Sequence, residues 1–387
     1  MFDKKMLKNL DWVFLLLLVL LLGASLLVLA SASGNIRSDP YYYMRRQLLF
    51  LGVGVGAMLF LTWFNYRDYG KYVRLAYVVL LVLLVGVFFA PGTEKDDAIR
   101  WYHIGSFMFQ PSELGKLIVI VTLADYLSRR QESIKEWRVF WGAILITAVP
   151  MFLVLLEPDL GTALVYGFVL VVMMWLSGLP RRRVLAFIMI ILLLVAFVYV
   201  DLYFATDGFS HLAEELPVPL PLHTYQLNRL IIFVNPEMDP LDTGYHIIQS
   251  KVAIGSGGMF GKGYGAGTQV QSNFLPYHHT DFIFSVVGEE LGFVGAVGVL
   301  LLFMLLMLRM VRIAVQSADM FGSLLVSGLV AMLLFQIFVN VGMTVGLMPI
   351  TGITLPMFSY GGTSLLINML AMGMVFSVNI RREIKIF

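Results

Sequence analysis

The sequence contains no cysteine, which excludes a disulfide framework, cysteine-ligated zinc and thiolate catalysis. Charge is scarce: Asp, Glu, Lys and Arg make up 13% of the 387 residues, against about 25% in a soluble domain. The formal net charge is only +2, and no basic run interleaves with aromatics, so the chain carries no nucleic-acid signature. No internal repeat is visible, and the inverted symmetry of many secondary transporters is missing with it.

What fills the chain instead is apolar. Hydrophobic residues make up 59%, more than a globule of this size can hide. Crossing the hydrocarbon layer takes roughly 20 apolar residues as helix. Ten segments qualify, at 12–31, 46–64, 75–91, 112–128, 139–156, 160–178, 184–204, 282–307, 321–345 and 363–380. The expectation is an all-α polytopic membrane protein, one domain over 1–387, with a long connection at 205–281. Residues 4–32 have the charge pattern of a signal peptide. Their apolar run is longer than the usual ~7–15 residues of such segments, and the run is expected to stay as a span.

Eighteen of the 27 Lys and Arg residues fall on one side if the N-terminus is inside. The positive-inside rule then places both termini in the cytoplasm and the 205–281 connection outside. Arg37, Arg45 and Arg46 run against the trend. The long connection holds Tyr225, Ile231, Ile232, Phe233, Tyr245, Ile247 and Ile248, too apolar for a disordered linker, so helical pieces at the membrane surface are expected.

Polar residues gather at the outer ends of the spans. "FQPSELGKL", 109–117, starts a helix with Pro111 and Ser112 and sets Glu113 and Lys116 on one face; a structural ion pair would explain them equally well. "LLEPDLGTA", 155–163, is a tight turn in which Pro158 ends one helix and Asp159 can cap the next, while Glu157 lies deeper. "AIGSGGMFGKGYGAGTQ", 253–269, has seven glycines from Gly255 to Gly267. Its backbone, at Gly257 and Gly258 among others, could approach an anion such as a diphosphate with Lys262 alongside. A flexible loop is the plainer reading, and no GKS or GKT makes it a Walker A sequence. "PYHHTDFIFSVVGEELG", 276–292, puts Asp281 at a helix start, where a carboxylate is stabilised by the helix dipole. Glu289 sits eight residues further in, about 12 Å by the helical rise, where no cap explains it. His278 and His279 are adjacent and poorly disposed to share a metal. "NVGMTVGLMPITGITLPMFSYGGTSLL", 340–366, has no charge but offers backbone and hydroxyl donors, Ser359 and Tyr360 among its residues, which are useful at membrane depth only in a cavity.

Together these stretches closely resemble the SEDS family of cell-wall polymerases, named for shape, elongation, division and sporulation. "FQPSELGK", "EPDLGTA", "IGSGGMFGKGYGAGTQ", "NFLPYHHTDFIFSVVGEELG" and "GLMPITGITLPMFSYGGTS" occur in the family's order, and "GTQ" followed by "NFLP" is closer to its elongation branch than to its division branch. Thr354 and Thr363 depart mildly from the pattern, which more often has proline and serine there. The resemblance implies a ten-helix peptidoglycan glycosyltransferase that joins lipid II units outside the cytoplasmic membrane and releases undecaprenyl diphosphate. The family's functional aspartate falls on Asp281, its paired acid and lysine on Glu113 and Lys116, and its turn carboxylates on Glu157 and Asp159.

On that reading Asp281 is the general base for the acceptor hydroxyl. The departing diphosphate needs cations or aimed N–H donors, for which Arg100, Lys116, Arg229, Lys262 and the glycine-rich backbone are candidates. A divalent cation, Mg²⁺ or Mn²⁺, could share that task, although the sequence defines no site and no other cofactor is implied. The resemblance also implies a class B penicillin-binding protein as transpeptidase partner, with other elongation-complex membrane proteins. The chain has no SxxK serine followed by KTG with which to crosslink peptides itself. A precursor flippase and a passive scaffold are the competing expectations. A flippase should carry polar groups through the membrane depth, and a scaffold leaves Asp281 no task beyond capping.

Overall fold

The computed structural model describes residues 9–33, 41–90, 94–95, 98–105, 107–206, 229, 232–233, 243–272 and 274–382. Ten helices of 17 residues or more occur among them: α1 Trp12–Ala32, α2 Tyr42–Trp63, α3 Tyr66–Gly86, α4 Pro111–Ser128, α5 Trp137–Leu156, α6 Leu160–Leu176, α7 Arg181–Thr206, α10 Ile283–Val315, α11 Met320–Thr344 and α12 Gly362–Ile380. Two shorter ones, α8 Thr243–Ser256 and α9 Thr268–Gln271, lie in the long connection. Tyr225 and Ile231 of that connection, and Arg37, lie outside the described residues. Among the described residues seven helices are long and apolar enough to cross a membrane, and α6 is an apolar helix just under that length. Large side chains such as Leu16, Val19, Leu27, Leu75, Val82, Leu145 and Phe338 stay exposed on the outer faces of the bundle, as a lipid-facing surface requires. This is an all-α polytopic membrane fold.

Local sequence explains several helix starts. Asp11 accepts from the Phe14 N–H at 3.0 Å and caps α1. Asn65 accepts from Arg67 N–H at 3.1 Å and starts α3 nine residues before the apolar run at 75, so that Arg67, Lys71 and Arg74 lie within the helix. Asp319 accepts from Gly322 N–H at 2.8 Å at the head of α11, and also takes a hydrogen bond from Arg67 at 2.7 Å. Of these seven spans the most enclosed are α11 and α12. α12 packs along α2, while α11 packs against α4, α6 and α10.

Two features depart from the sequence expectation. The connection before α4 contains strand pairs rather than bare loop: β1 Glu94–Lys95 with β2 Ala98–Ile99, and β3 Tyr102–Ile104 with β4 Phe107–Phe109. In "YHIGSFMF" the turn falls at Gly105, whose φ of +62° suits glycine. The Tyr102 hydroxyl donates to Leu83 O at 2.8 Å, and the Thr363 hydroxyl donates to Met108 O at 2.6 Å, which pins this hairpin across the ends of α3 and α12. The second departure is α10, which runs to Val315 and bends at Gly292, where φ is 67° and ψ −164°.

Candidate active site

Asp281 stands immediately before α10. The N-cap residue is Phe282, with no side-chain cap, so capping does not account for the aspartate. Its main-chain carbonyl accepts from Asn340 Nδ2 at 2.9 Å, and the same amide donates to Ile353 O at 2.8 Å. Behind it, the Ser359 hydroxyl donates to Thr280 O at 2.6 Å and accepts from Leu355 N–H at 2.9 Å. Tyr360 N–H donates to His279 O at 3.0 Å. Ser359 and Tyr360 therefore brace the segment that carries Asp281. Tyr43 stacks on His279 with ring centroids 4.3 Å apart and meets Tyr360 edge-on at 4.8 Å.

The 350–353 segment is the hub of the site. Arg229 Nη1 donates to Ile350 O at 3.1 Å. Gly161, at the start of α6, is packed so closely that a Cβ there would lie 2.7 Å from Ile353 Cγ1 and 3.0 Å from Thr351 O. Gly352 has a φ of +74°, and a Cβ on it would lie 3.5 Å from Arg229 Nη1 and 3.8 Å from Asp281 Oδ2. The guanidinium and the carboxylate thus converge on one point of a glycine backbone.

Burial raises the Asp281 carboxyl above its usual range, and the positive charges of Arg229 and Arg100 oppose that rise. Arg100 acts on Glu157 as well, which connects Asp281 to the turn between α5 and α6. Glu157 is fully buried, and neither carboxyl oxygen has a hydrogen-bond partner among the described residues. Burial pushes it up to about 9, the negative charge of Asp159 adds to the push, and Arg100 opposes it. Asp159 does cap α6, accepting from Thr162 N–H at 3.0 Å, and its other oxygen accepts from Gln110 Nε2 at 2.9 Å.

Glu113 and Lys116 form an ion pair at 2.6 Å on the first turns of α4, both buried. The buried Tyr166 hydroxyl donates to Ser112 O at 2.9 Å, which joins the start of α4 to α6. Among the described residues no group of three or more His, Asp or Glu side chains is arranged to hold a metal ion.

The glycine-rich stretch has a different setting. Lys262 Nζ donates to Glu289 Oε1 at 2.6 Å, and Gln269 N–H and Val270 N–H donate to the same carboxylate at 2.9 and 3.2 Å. Glu290 accepts from the Ser31 hydroxyl at 2.6 Å. A Cβ on Gly257 would collide with Gly288 O, while Gly258 O accepts from Phe293 N–H at 2.9 Å. Gly257, Gly258 and Lys262 are thus engaged with the bend of α10. The anion expected beside them from sequence has an internal counterpart here, the carboxylate of Glu289. Gln110, Asn340 and Gly352 were not singled out from sequence. Asn340, an amide near the end of an apolar helix, is the one whose setting was a usable signal.

The Glu157 environment has a measurable consequence. The folded chain keeps a proton there that the unfolded chain releases above its ordinary value of 4.5. Proton binding in excess in the folded state makes stability fall as pH rises. Thermal stability of the wild type is expected to decline from pH 4.5 towards 9, by at most about 1.4 kcal/mol per pH unit from this group. Glu157→Gln should flatten that slope in thermal melts, and an unchanged slope would assign the titration elsewhere.

The family profile described as cell cycle protein, FtsW/RodA/SpoVE, matches residues 10–384. The peptidoglycan glycosyltransferase RodA of Treponema pallidum (strain Nichols) is 36% identical, with 96% of this chain and 98% of that protein aligned. The peptidoglycan glycosyltransferase MrdB of Escherichia coli (strain K12) is also 36% identical, over 97% and 95% of the two chains. Among solved structures, a chain from a peptidoglycan synthase complex, described for its coordination of polymerization and crosslinking, superimposes with a TM-score of 0.75 at 32% identity, covering 95% of this chain and 97% of that one. The rod shape determining protein RodA of Thermus thermophilus superimposes with a TM-score of 0.67 at 31% identity, covering 96% and 97%.

Proposed function

This chain belongs to the FtsW/RodA/SpoVE family of cell cycle proteins, and from that premise we propose that it is a peptidoglycan glycosyltransferase that polymerises lipid II at the outer surface of the cytoplasmic membrane. The observation that carries the reading is the convergence of Asp281 and Arg229 beside the backbone of Gly352, with the charge of Arg100 also acting on the aspartate. Lipid II keeps its polyprenyl tail in the bilayer and its sugars outside, so the bond that reacts lies near the membrane surface. The 4-hydroxyl of the acceptor GlcNAc attacks the anomeric carbon of the donor MurNAc. Asp281 takes the hydroxyl proton as the new C–O bond forms, the bond to the diphosphate breaks, and a single displacement inverts the centre to give the β-linkage.

The leaving diphosphate gathers negative charge, which Arg229 and Arg100 can meet. A protonated Glu157 leaves the charge of Arg100 unneutralised for that purpose. Glu113 and Lys116 are paired through Glu113 Oε1, while Glu113 Oε2 has no hydrogen-bond partner among the described residues. Asp281 must be ionised to act, so activity is lost as pH falls through its raised value. A class B penicillin-binding protein would supply the crosslinking step, in company with other membrane proteins of the elongation complex. The relatives are named as glycosyltransferases, which favours polymerisation over the flippase reading.

The test is lipid II polymerisation by the purified chain with its cognate partner. Glycan strands on a gel are the expected product. Movement of lipid II between leaflets without any strand would reverse the conclusion. Gly352→Ala probes the same point. Left-handed backbone costs a residue with a Cβ about 1–2 kcal/mol, and a methyl group would sit between Arg229 and Asp281. Turnover is expected to fall about tenfold or more, since small misplacements at a reacting centre are costly. The melting temperature should move little. A large loss of stability with turnover per folded molecule intact would make Gly352 purely structural.

A further inference from the structure

At the end of the bundle opposite Asp281, residues of α3, α4 and α5 and the two arginines just past α4 line a half-open cavity of about 500 Å³. Pro111 begins α4 at the active-site end, and Asp125 lies fourteen residues further on, about 21 Å along the axis. The cavity rim carries Arg74, Arg129 and Arg130 against a single carboxylate, Asp125. Arg129 Nε bonds Asp125 Oδ1 at 2.7 Å and neutralises it. The Arg130 guanidinium lies over the Tyr126 ring at 4.1 Å and donates to Tyr126 O at 3.3 Å, which fixes its plane without neutralising its charge. Arg74 forms no ion pair among the described residues. Among the described residues two cations of this lining therefore have no carboxylate partner. The rest of the lining is Val73, Ile146, Thr122 and the Tyr126 ring. The helices that supply this lining, α3 and α5, also carry the exposed apolar side chains of Leu75, Val78, Val79, Leu145 and Val149, which suit contact with acyl chains.

We propose that this cavity binds the phosphodiester headgroup of an anionic glycerophospholipid from the inner leaflet. The leaflet assignment rests on the reading that Asp281 faces outward. A guanidinium presents two N–H groups in the geometry of two phosphate oxygens, and such charge-assisted pairs are among the stronger hydrogen bonds. Basic pockets between membrane helices at the cytoplasmic surface suit anionic headgroups. A soluble phosphate would satisfy the arginines alone, whereas a lipid would satisfy the arginines and cover the apolar strip together. That combination is why a lipid, rather than a free anion, is the occupant.

The experiment uses the full chain in neutral detergent, titrated with phosphatidylglycerol, phosphatidylcholine or inorganic phosphate. Retained lipid is counted by native mass spectrometry, and melting temperature is followed in parallel. Wild type should retain phosphatidylglycerol in preference to phosphatidylcholine and melt higher with it. The double variant Arg74→Gln, Arg130→Gln should bind it about tenfold more weakly or worse, each lost charged hydrogen bond being worth about that factor. Both side chains are exposed, so the variant keeps its fold, and its melting temperature without lipid verifies this. Equal retention by variant and wild type would overturn the proposal. So would inorganic phosphate raising the melting temperature as much as the lipid does, which would make this a free-anion site. Binding is read without turnover, so failure of the glycosyltransferase reading would leave the lipid result standing.

Discussion

Asp281→Asn is expected to reduce glycan polymerisation by about 10²–10⁴-fold, the range for loss of a general base, while the folded protein melts close to the wild-type temperature. Asparagine preserves the size of the side chain and leaves the main-chain carbonyl free to accept from Asn340. The helix start is not disturbed, because Phe282 is the N-cap residue and no side chain caps it. What is removed is the capacity to take a proton beside Arg229 and within the field of Arg100. Lipid II polymerisation by the folded variant, with wild type in parallel, decides the matter. Normal turnover would make Asp281 a bystander and direct attention to Glu113, Glu157 and Asp159. A scaffold that needed only the shape of this segment would tolerate the change.

The second large effect concerns stability. Glu289→Ala is expected to destabilise the chain by about 3–5 kcal/mol, as when one partner of a buried ion pair is removed. Glu289 is fully buried and accepts from Lys262 Nζ, Gln269 N–H and Val270 N–H. Its loss leaves two backbone donors without their acceptor, a lysine without its counter-ion and a void the size of a carboxylate. Thermal or denaturant unfolding measures this. A variant as stable as wild type would mean that the glycine-rich stretch docks on α10 by its backbone alone. Such a result would return Lys262 to the set of candidate diphosphate ligands.

Much of this site was legible from local pattern. Glu113 and Lys116 are three apart on a helix that starts at a proline, and they do pair. Asp159 follows a proline and precedes an apolar run, and it does cap the helix. Both relations span only a few residues, so spacing alone reveals them. The roles of Glu289 and Glu290 depend instead on Lys262, Gln269, Val270 and Ser31. These partners are separated from them by 19 to 259 positions, and no helical or strand period encodes such a meeting. Arg100 was identifiable as a cation but not as the link between Glu157 and Asp281, for the same reason. The strand pairs around it leave no pattern in the sequence, because two- and three-residue strands are too short to show alternation. α10 extends beyond the apolar run to Val315 because Arg309 and Arg312 remain helical at its polar end.

The bend at Gly292 divides α10 into unequal parts. Residues 293–315 measure about 35 Å at the helical rise, enough to cross a bilayer with modest tilt. Residues 283–291 form a separate short rod that is tied to the glycine-rich stretch by Glu289 and Glu290. Lipid thickness therefore acts on the long part. A thinner bilayer is met by tilt below the bend, and the short rod next to Asp281 keeps its attachment to the surrounding loops. On the reading that Asp281 is the base, turnover is expected to change little with acyl-chain length, and a steep dependence measured in bilayers of different thickness would place the coupling across the bend.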